Sequence, residues 1–307
     1  MIYDRYGRPT LNFRISVTQR CNLKCPYCHR EGQTSTSSIE MTPEEIGRLV
    51  RIGANLGITD IKLTGGEPLL RSDIADIIRE IAMVPKVTDL SITTNGTLLA
   101  ENAAKLKEAG LRRVNVNFLT LNSDTYRDFT GGNLEDVIKG VEAASRIGLN
   151  PIKLNVLLLR GVNDGELGQM LDYARQVKAI LQIIELEPVN ISSEYYAKYH
   201  QPLIKFEALI KEQAVGVKFR RYMQNRKIYH LVDVDVEFVR PIENTEFCAH
   251  CTRLRLTSDG KLKPCLMRND NLIDVLTPLR QGVRDTGLIE IFKEAINKRE
   301  PYFKSAV

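Results

Sequence analysis

Residues 21–28 read Cys21-Asn22-Leu23-Lys24-Cys25-Pro26-Tyr27-Cys28, a Cys-x3-Cys-x2-Cys run that closely follows a short β-rich stretch, Phe13–Thr18. Thiolates this close together in one loop can hold three irons of a [4Fe–4S] cube. The fourth iron is then open for another ligand, unlike that of the four-cysteine electron carriers. A zinc ion borrowing His29 is the competing reading of the same residues. The remaining cysteines form a second triad, Cys248, Cys251 and Cys265, so six thiols divide three and three with none left over. Structural zinc prefers four protein ligands, which two sets of three do not supply. Met1–Thr10 contains no charged-then-apolar leader and the chain has no long apolar run. The expectation is a cytoplasmic protein, neither secreted nor membrane-spanning, in which a disulfide framework is out of place.

Working outward, β-rich runs at Phe13–Thr18, Asp60–Thr64, Leu90–Thr94, Arg113–Phe118, Lys153–Leu159 and Ile180–Leu186 alternate with stretches of helical period. Thr42-Pro43-Glu44-Glu45 offers a capping box with proline at the first helical position, and Ile46, Leu49 and Val50 mark one apolar face. Ser72 can cap a second helix striped by Ile74, Ile77, Ile78 and Ile81. Later helices carry Val137, Ile138 and Val141 after Leu134, then Leu167, Met170, Leu171 and Ala174. Six strands alternating with helices predict an α/β fold of parallel βαβ units, either an open sheet or a partial (βα)6 barrel of the TIM type. Ligands in such folds bind at the carboxyl ends of the strands. Cys21 lies there after the first strand, Gly65-Gly66-Glu67-Pro68 after the second and Asn95-Gly96 after the third. The rhythm stops near Pro188. This divides the chain into residues 1–187, a barrel with the first cluster, and 188–307, an α+β extension that covers the barrel's open side and carries the second. Within the extension Tyr195–His200 reads as polar and aromatic, Leu203–Gln213 as a helix, Lys218–Val239 as short strands and Gly287–Asn297 as a final helix.

The cysteine run with an aromatic before its last thiol, the Gly-Gly-Glu-Pro turn and Thr93-Thr94-Asn95-Gly96 together resemble the radical S-adenosylmethionine (SAM) superfamily. The resemblance implies SAM on the open iron and a 5′-deoxyadenosyl radical made from it by one electron, with the cofactor supplying the difficult chemistry. Tyr27, Gly65, Gly66, Glu67 and Asn117 are the residues it places at SAM, the glycines because a side chain would obstruct close approach.

Cys248-Ala249-His250-Cys251 followed by Cys265 frames Thr252-Arg253-Leu254-Arg255-Leu256-Thr257-Ser258-Asp259-Gly260. This is similar to the C-terminal cluster motif of the GTP 3′,8-cyclases (MoaA family), which begin molybdenum cofactor synthesis. The resemblance runs from Arg14 to about Arg299. It implies a second [4Fe–4S] cluster on these three thiols with an iron open to the purine of GTP. Arg14, Lys62, Thr93, Lys153, Arg253, Leu254 and Arg255 would then contact GTP, with Arg253 and Arg255 catalytic. The ribose 3′ hydrogen would be abstracted and C3′ joined to guanine C8. An electron donor and a downstream cyclic pyranopterin synthase, fed by product transfer, are the implied partners. A zinc ribbon using His250 is the alternative for this triad.

Arginine's planar fork suits phosphate oxygens. Arg253 and Arg255 alternate along a predicted strand and so share one face. Charges inside parallel strands, which are normally apolar on both faces, single out Arg14, Lys62 and Lys153 as more than solvated surface. The chain departs from the family pattern at four places. Asn117-Phe118-Leu119 replaces Ser-Leu-Asp, Lys62 and Gln182 stand where arginine is common, and Lys304-Ser305-Ala306-Val307 replaces a double-glycine tail, implying a short form. Competing functions are a peptide-modifying radical SAM enzyme and a nucleic-acid-binding iron–sulfur protein. The net charge of +5 over 307 residues is a mild excess. The best nucleic-acid candidate, Arg220-Arg221-Tyr222 through Arg226-Lys227, reads more simply as a solvated strand edge.

Overall fold

The structure is a computed structural model that describes residues 1–34 and 37–303; the expected tail difference at Lys304–Val307 lies outside the described residues. Six strands, β1 (Asn12–Ser16), β2 (Asp60–Thr64), β3 (Asp89–Thr94), β4 (Arg113–Asn117), β5 (Lys153–Leu157) and β6 (Ile180–Ile184), lie side by side in chain order. All five neighbouring pairs are parallel. Helices α1 (Pro43–Asn55), α2 (Ile74–Ala82), α3 (Leu99–Glu108), α4 (Ser123–Thr130), α5 (Leu134–Arg146) and α6 (Leu167–Gln176) make the crossovers. This is the partial (βα)6 barrel, one of the two arrangements that the alternation allowed.

The strands obey a strict period of two. Phe13, Ile15, Ile61, Leu63, Leu90, Ile92, Val114, Val116, Leu154 and Val156 are wholly or almost wholly buried in the core. The alternate residues, Arg14, Lys62, Thr93, Asn115, Asn155 and Gln182 among them, point into the barrel and line a single pocket. A parallel strand polar on its inner face is unusual, and here those side chains border an open pocket rather than a packed core.

The box around α1 is present in both halves: the Thr42 hydroxyl accepts the Glu45 N–H at 3.2 Å, and Glu45 accepts the Thr42 N–H at 2.9 Å. Ser72 does not cap α2. Asp73 occupies that position without a side-chain cap, its carboxylate being taken by Arg71. The elements missed from sequence include two helices. One is α4, capped by Asn122 and closed by Gly131 in the left-handed conformation. The other is α7 (Ser193–Tyr199), in the stretch read only as polar and aromatic.

After β6 the chain forms α8 (Ile204–Gln213) and three strands, β7 (Gly216–Arg220), β8 (Arg226–Leu231) and β9 (Val234–Val239). Then come the short helix α9 (Thr245–Ala249), β10 (Arg253–Leu256), β11 (Lys261–Lys263), β12 (Ile273–Asp274), a short helix α10 (Leu276–Arg280) and α11 (Asp285–Asn297). These strands extend the sheet at both edges: β9 pairs parallel with β6, and β10 pairs parallel with β1. The result is one sheet of twelve strands in the order 12-11-10-1-2-3-4-5-6-9-8-7. The two ends of the extension therefore become neighbours of the first and last barrel strands.

Candidate active site

Cys21, Cys25 and Cys28 stand on the loop leaving the carboxyl end of β1 and line one wall of the pocket. The three thiols face one another closely enough that Cys25, pushed up to about 11 mainly by burial, is raised further by Cys28 and Cys21. Donors approach the sulfurs: the Leu23 N–H lies 3.4 Å from Cys21 Sγ and Asn95 Nδ2 lies 3.9 Å from it. Among the described residues no three His, Cys, Asp or Glu side chains gather where one metal ion could be held. His29 is otherwise engaged, its Nδ1 accepting the Glu31 N–H at 3.0 Å. A four-iron cube is held at its corners, so its thiolates surround a volume instead of converging on a point, and hydrogen bonds to sulfur tune it. The three-thiol loop fits such a group.

The Gly65-Gly66 turn packs against that loop. A Cβ on Gly65 would lie 2.5 Å from the Thr18 carbonyl oxygen, and one on Gly66 would lie 2.2 Å from that of Arg20. The Gly66 N–H donates to Thr18 O at 2.8 Å and the Glu67 N–H to Arg20 O at 2.7 Å. The glycines are thus required first by the approach of two backbones. Both also line the pocket, as do Tyr27 and Asn117. Glu67 does not. It is fully buried, and its carboxylate accepts the Thr94 hydroxyl and the Asn95 N–H, both at 2.7 Å, and the Leu69 N–H at 3.0 Å. Burial pushes it up to about 7 against those donors. The side chain of Glu67, a residue expected at SAM, fixes the turns beside it. Asn117 accepts from Asn155 at 3.1 Å, which in turn accepts from Gln182 at 2.8 Å.

Deeper in the barrel, one register row across five adjacent strands reads Arg255, Arg14, Lys62, Ser91, Arg113. Arg14 meets Glu31 at 3.3 Å and Arg113 meets Asp89 at 2.9 Å. Lys62, Arg253 and Arg255 have no carboxylate partner among the described residues. Burial, then Arg113, Arg14 and Lys153, drive Lys62 well below its ordinary value. Burial, then Arg226 and Arg14, lower Arg253. Burial alone would raise Glu31, but Arg14, His29 and Arg255 outweigh it and hold it at about 2. Among the described residues the Nε of Arg255 and the hydroxyl of Thr93 are buried without a hydrogen-bond partner, whereas the Arg14 Nε is the atom that faces Glu31. Buried donors left open are costly, so this lumen is built to receive an anion. Leu254 belongs to the opposite face of β10, where it is fully buried in the core, and its side chain does not reach the pocket.

Sequence reasoning missed Arg113, Arg220 and Arg226. Arg113 carried the same signal as Lys62, a charge within a parallel strand. The stretch 220–227 is only half a solvated edge: Arg221, Tyr222 and Lys227 are exposed, whereas Arg220 and Arg226 turn inward and line the pocket.

The second triad flanks β10 and β11, with Cys248 and Cys251 just before β10 and Cys265 just after β11. The Cys248, Cys251 and Cys265 thiols influence one another, and the Phe303 N–H approaches Cys248 Sγ at 3.5 Å. Burial raises Cys251, yet Arg299, Arg253 and Arg255 bring it down to about 7, a setting that favours thiolate ligands. Arg8 donates to the Cys248 carbonyl at 2.8 Å and Arg299 to that of Cys251, so two buried arginines pin the loop. His250 Nδ1 lies 3.0 Å from its own helix at the Glu246 carbonyl. The two cysteine loops meet through Gln33, whose side-chain oxygen accepts the Ser258 N–H at 3.2 Å. They meet again at Gly32, where a Cβ would lie 2.4 Å from the Leu266 carbonyl oxygen.

A three-thiol loop at the carboxyl ends of a parallel half-barrel defines a radical SAM protein, and the family model described as the radical SAM superfamily matches residues 15–174. The chain belongs to that superfamily, whose members use SAM and an iron–sulfur cluster. A second model, Molybdenum Cofactor Synthesis C, matches residues 179–305. Proteins named probable GTP 3′,8-cyclase are 51% identical in Pyrococcus horikoshii, over 99% of both chains. The one in Thermococcus kodakarensis is 49% identical, over 99% of this chain and all of that one. The one in Methanothermobacter thermautotrophicus is 48% identical, over 98% of this chain and 99% of that one. Within the superfamily, the chain belongs to the GTP 3′,8-cyclase family. Streptococcus suis SuiB bound to S-adenosylmethionine shares the fold, with a TM-score of 0.67 at 18% identity over 97% of this chain and 77% of that one. No described helix is long and apolar enough to cross a membrane.

Proposed function

We propose that this chain is a GTP 3′,8-cyclase, a lyase that joins C3′ of the ribose to C8 of guanine as the first step of molybdenum cofactor biosynthesis. The observation that carries this reading is the row of cations Arg255, Arg14, Lys62 and Arg113 facing a lumen whose open end is the three-thiol loop. A nucleoside triphosphate is the substrate that needs both.

Cys21, Cys25 and Cys28 would hold the first [4Fe–4S] cluster, with Tyr27, Gly65, Gly66 and Asn117 beside SAM. When bound, the cluster and SAM supply a carbon radical able to take a hydrogen atom. The chain's own residues do the rest. Arg14, Lys62, Lys153, Arg253 and Arg255 hold the triphosphate and so aim C3′ at the cysteine loop, and Thr93 offers its open hydroxyl to the nucleotide. Holding a reacting atom in position is itself a large part of catalysis. Cys248, Cys251 and Cys265 would hold a second four-iron cluster against the purine. Arg253 and Arg255, two and four residues beyond Cys251, join that loop to the phosphate row. Residues 1–187 form the radical-generating half and residues 188–307 the substrate-cluster half of a cytoplasmic enzyme. An external electron donor reduces it, and a cyclic pyranopterin synthase takes its product. A strongly cationic lumen suits a peptide substrate poorly.

Reconstituted protein incubated anaerobically with GTP, SAM and a reductant should yield 5′-deoxyadenosine and a product of GTP's mass with the C3′–C8 bond. Deoxyadenosine formed with GTP left unchanged would overturn the assignment.

A further inference from the structure

Behind Lys153 lies a carboxylate with an unusual workload. Glu237 on β9 is fully buried and does not itself line the pocket. It binds three cations that do: Lys153, Arg220 at 2.8 Å and Arg226 at 3.4 Å. One negative charge against three positive ones leaves an excess of two facing the lumen. Arg226 is only 7% exposed and comes from β8, two strands beyond the last barrel strand. It also donates to the Gln182 side-chain oxygen at 3.1 Å, which places its guanidinium beside the last barrel strand.

A cation cluster that a single buried carboxylate neutralises only in part, and holds in place from behind, is a preorganised anion site. Resting on the GTP reading above, we propose that Arg226 and Arg220 are phosphate ligands supplied by the C-terminal extension. They grip the outer phosphates of the triphosphate, and Glu237 is the positioning residue that holds their forks toward the lumen. The site then counts phosphates: the row on β10, β1 and β2 takes the nucleotide's inner part, and this cluster distinguishes a triphosphate from a mono- or diphosphate.

The test is binding of GTP, GDP, GMP and guanosine to reconstituted protein by calorimetry, for the parent, Arg226→Gln, Arg220→Gln and Arg226→Lys. Iron content and thermal unfolding are measured on each. The parent should bind more weakly with each phosphate removed. Arg226→Gln keeps a donor for Gln182 but should lose ten- to a hundredfold in GTP affinity while binding guanosine as the parent does, flattening the phosphate series. Arg226→Lys should recover part of the loss, since charge returns without the fork. If the variants bind GTP as tightly as the parent, or lose GTP and guanosine equally, the cluster is structural and the proposal fails. Should Arg226→Gln not fold, Arg220→Gln decides the matter on the same criteria. A parent that binds no guanine nucleotide instead overturns the substrate reading, a different outcome from loss of phosphate counting.

Discussion

The Glu67 carboxylate accepts the backbone N–H of Asn95 at 2.7 Å, tying the turn after β2 to the turn after β3. With the Thr94 hydroxyl and the Leu69 N–H on the same group, every donor around it addresses an oxygen. Glu67→Gln turns an amide –NH2 toward one of these donors. At pH 8, where the carboxylate is ionised, the substitution should cost ~1–3 kcal/mol, read by urea unfolding of cluster-free protein. An unchanged midpoint would mean that the turns hold each other without it.

Lys153 predicts a pH dependence. Burial lowers its ammonium from 10.5 to about 8, despite the attraction of Glu237. Only the protonated form attracts phosphate, so GTP affinity should be full well below 8 and decline as pH rises through it. A bound triphosphate favours the charged form, so binding near that pH should take up protons, visible as a buffer-dependent heat in calorimetry. Lys153→Arg should remove the step, because guanidinium does not titrate there. A parent profile flat across this range counts against a phosphate role for Lys153.

Arg253 and Arg255 share one face of β10, and the Arg255 Nε is a buried donor without a hydrogen-bond partner among the described residues. Losing a charge-assisted contact costs ~1.5–3 kcal/mol, or roughly ten- to more than a hundredfold in kcat/KM. Arg255→Ala should show that loss for GTP while retaining its iron and reductant-driven SAM cleavage. Full turnover in the variant would remove Arg255 from the site.

Two three-thiol loops predict about eight irons on full reconstitution. Cys265→Ser should drop the count to about four and leave SAM cleavage measurable. Cys25→Ala should also lose about four and abolish cleavage. A parent saturating at four irons together with one zinc would refute the second cluster.

Much of this was legible in the sequence because the two signals were local. Asp60–Thr64 was read with both ends as observed, and Lys153 and Ile180 were read as the starts of their strands, since β-rich runs are bounded by helical periodicity. The cysteine spacings needed no folding at all. What failed was long-range. The alternation that turns Arg226 inward and leaves Lys227 outside shows only when β8 is laid beside β9 and its buried Glu237. Glu67 reads as a ligand within its motif, and that three donors from neighbouring turns bind its carboxylate shows only in the fold. Leu254 sits between two pocket arginines in sequence, yet a strand's period of two sends it to the other face. Ser72 has the right chemistry for a cap, but the helix starts one residue later, after an aspartate already held by Arg71.

Pairing of β10 with β1 and of β9 with β6 has a consequence for biosynthesis. As the chain leaves the ribosome, β1 and β6 appear first, each with a bare hydrogen-bonding edge of the kind that recruits other chains. The cover of β6 lies about fifty residues of synthesis beyond the end of β6 and that of β1 about seventy beyond the same point, delays on the order of ten seconds at cellular translation rates. During that interval the first cysteine loop exists while the arginines of β10 do not. The first cysteine loop is therefore made before the arginines that will face the same lumen, and expression at lower temperature or with chaperones that shield exposed strands should raise the soluble yield.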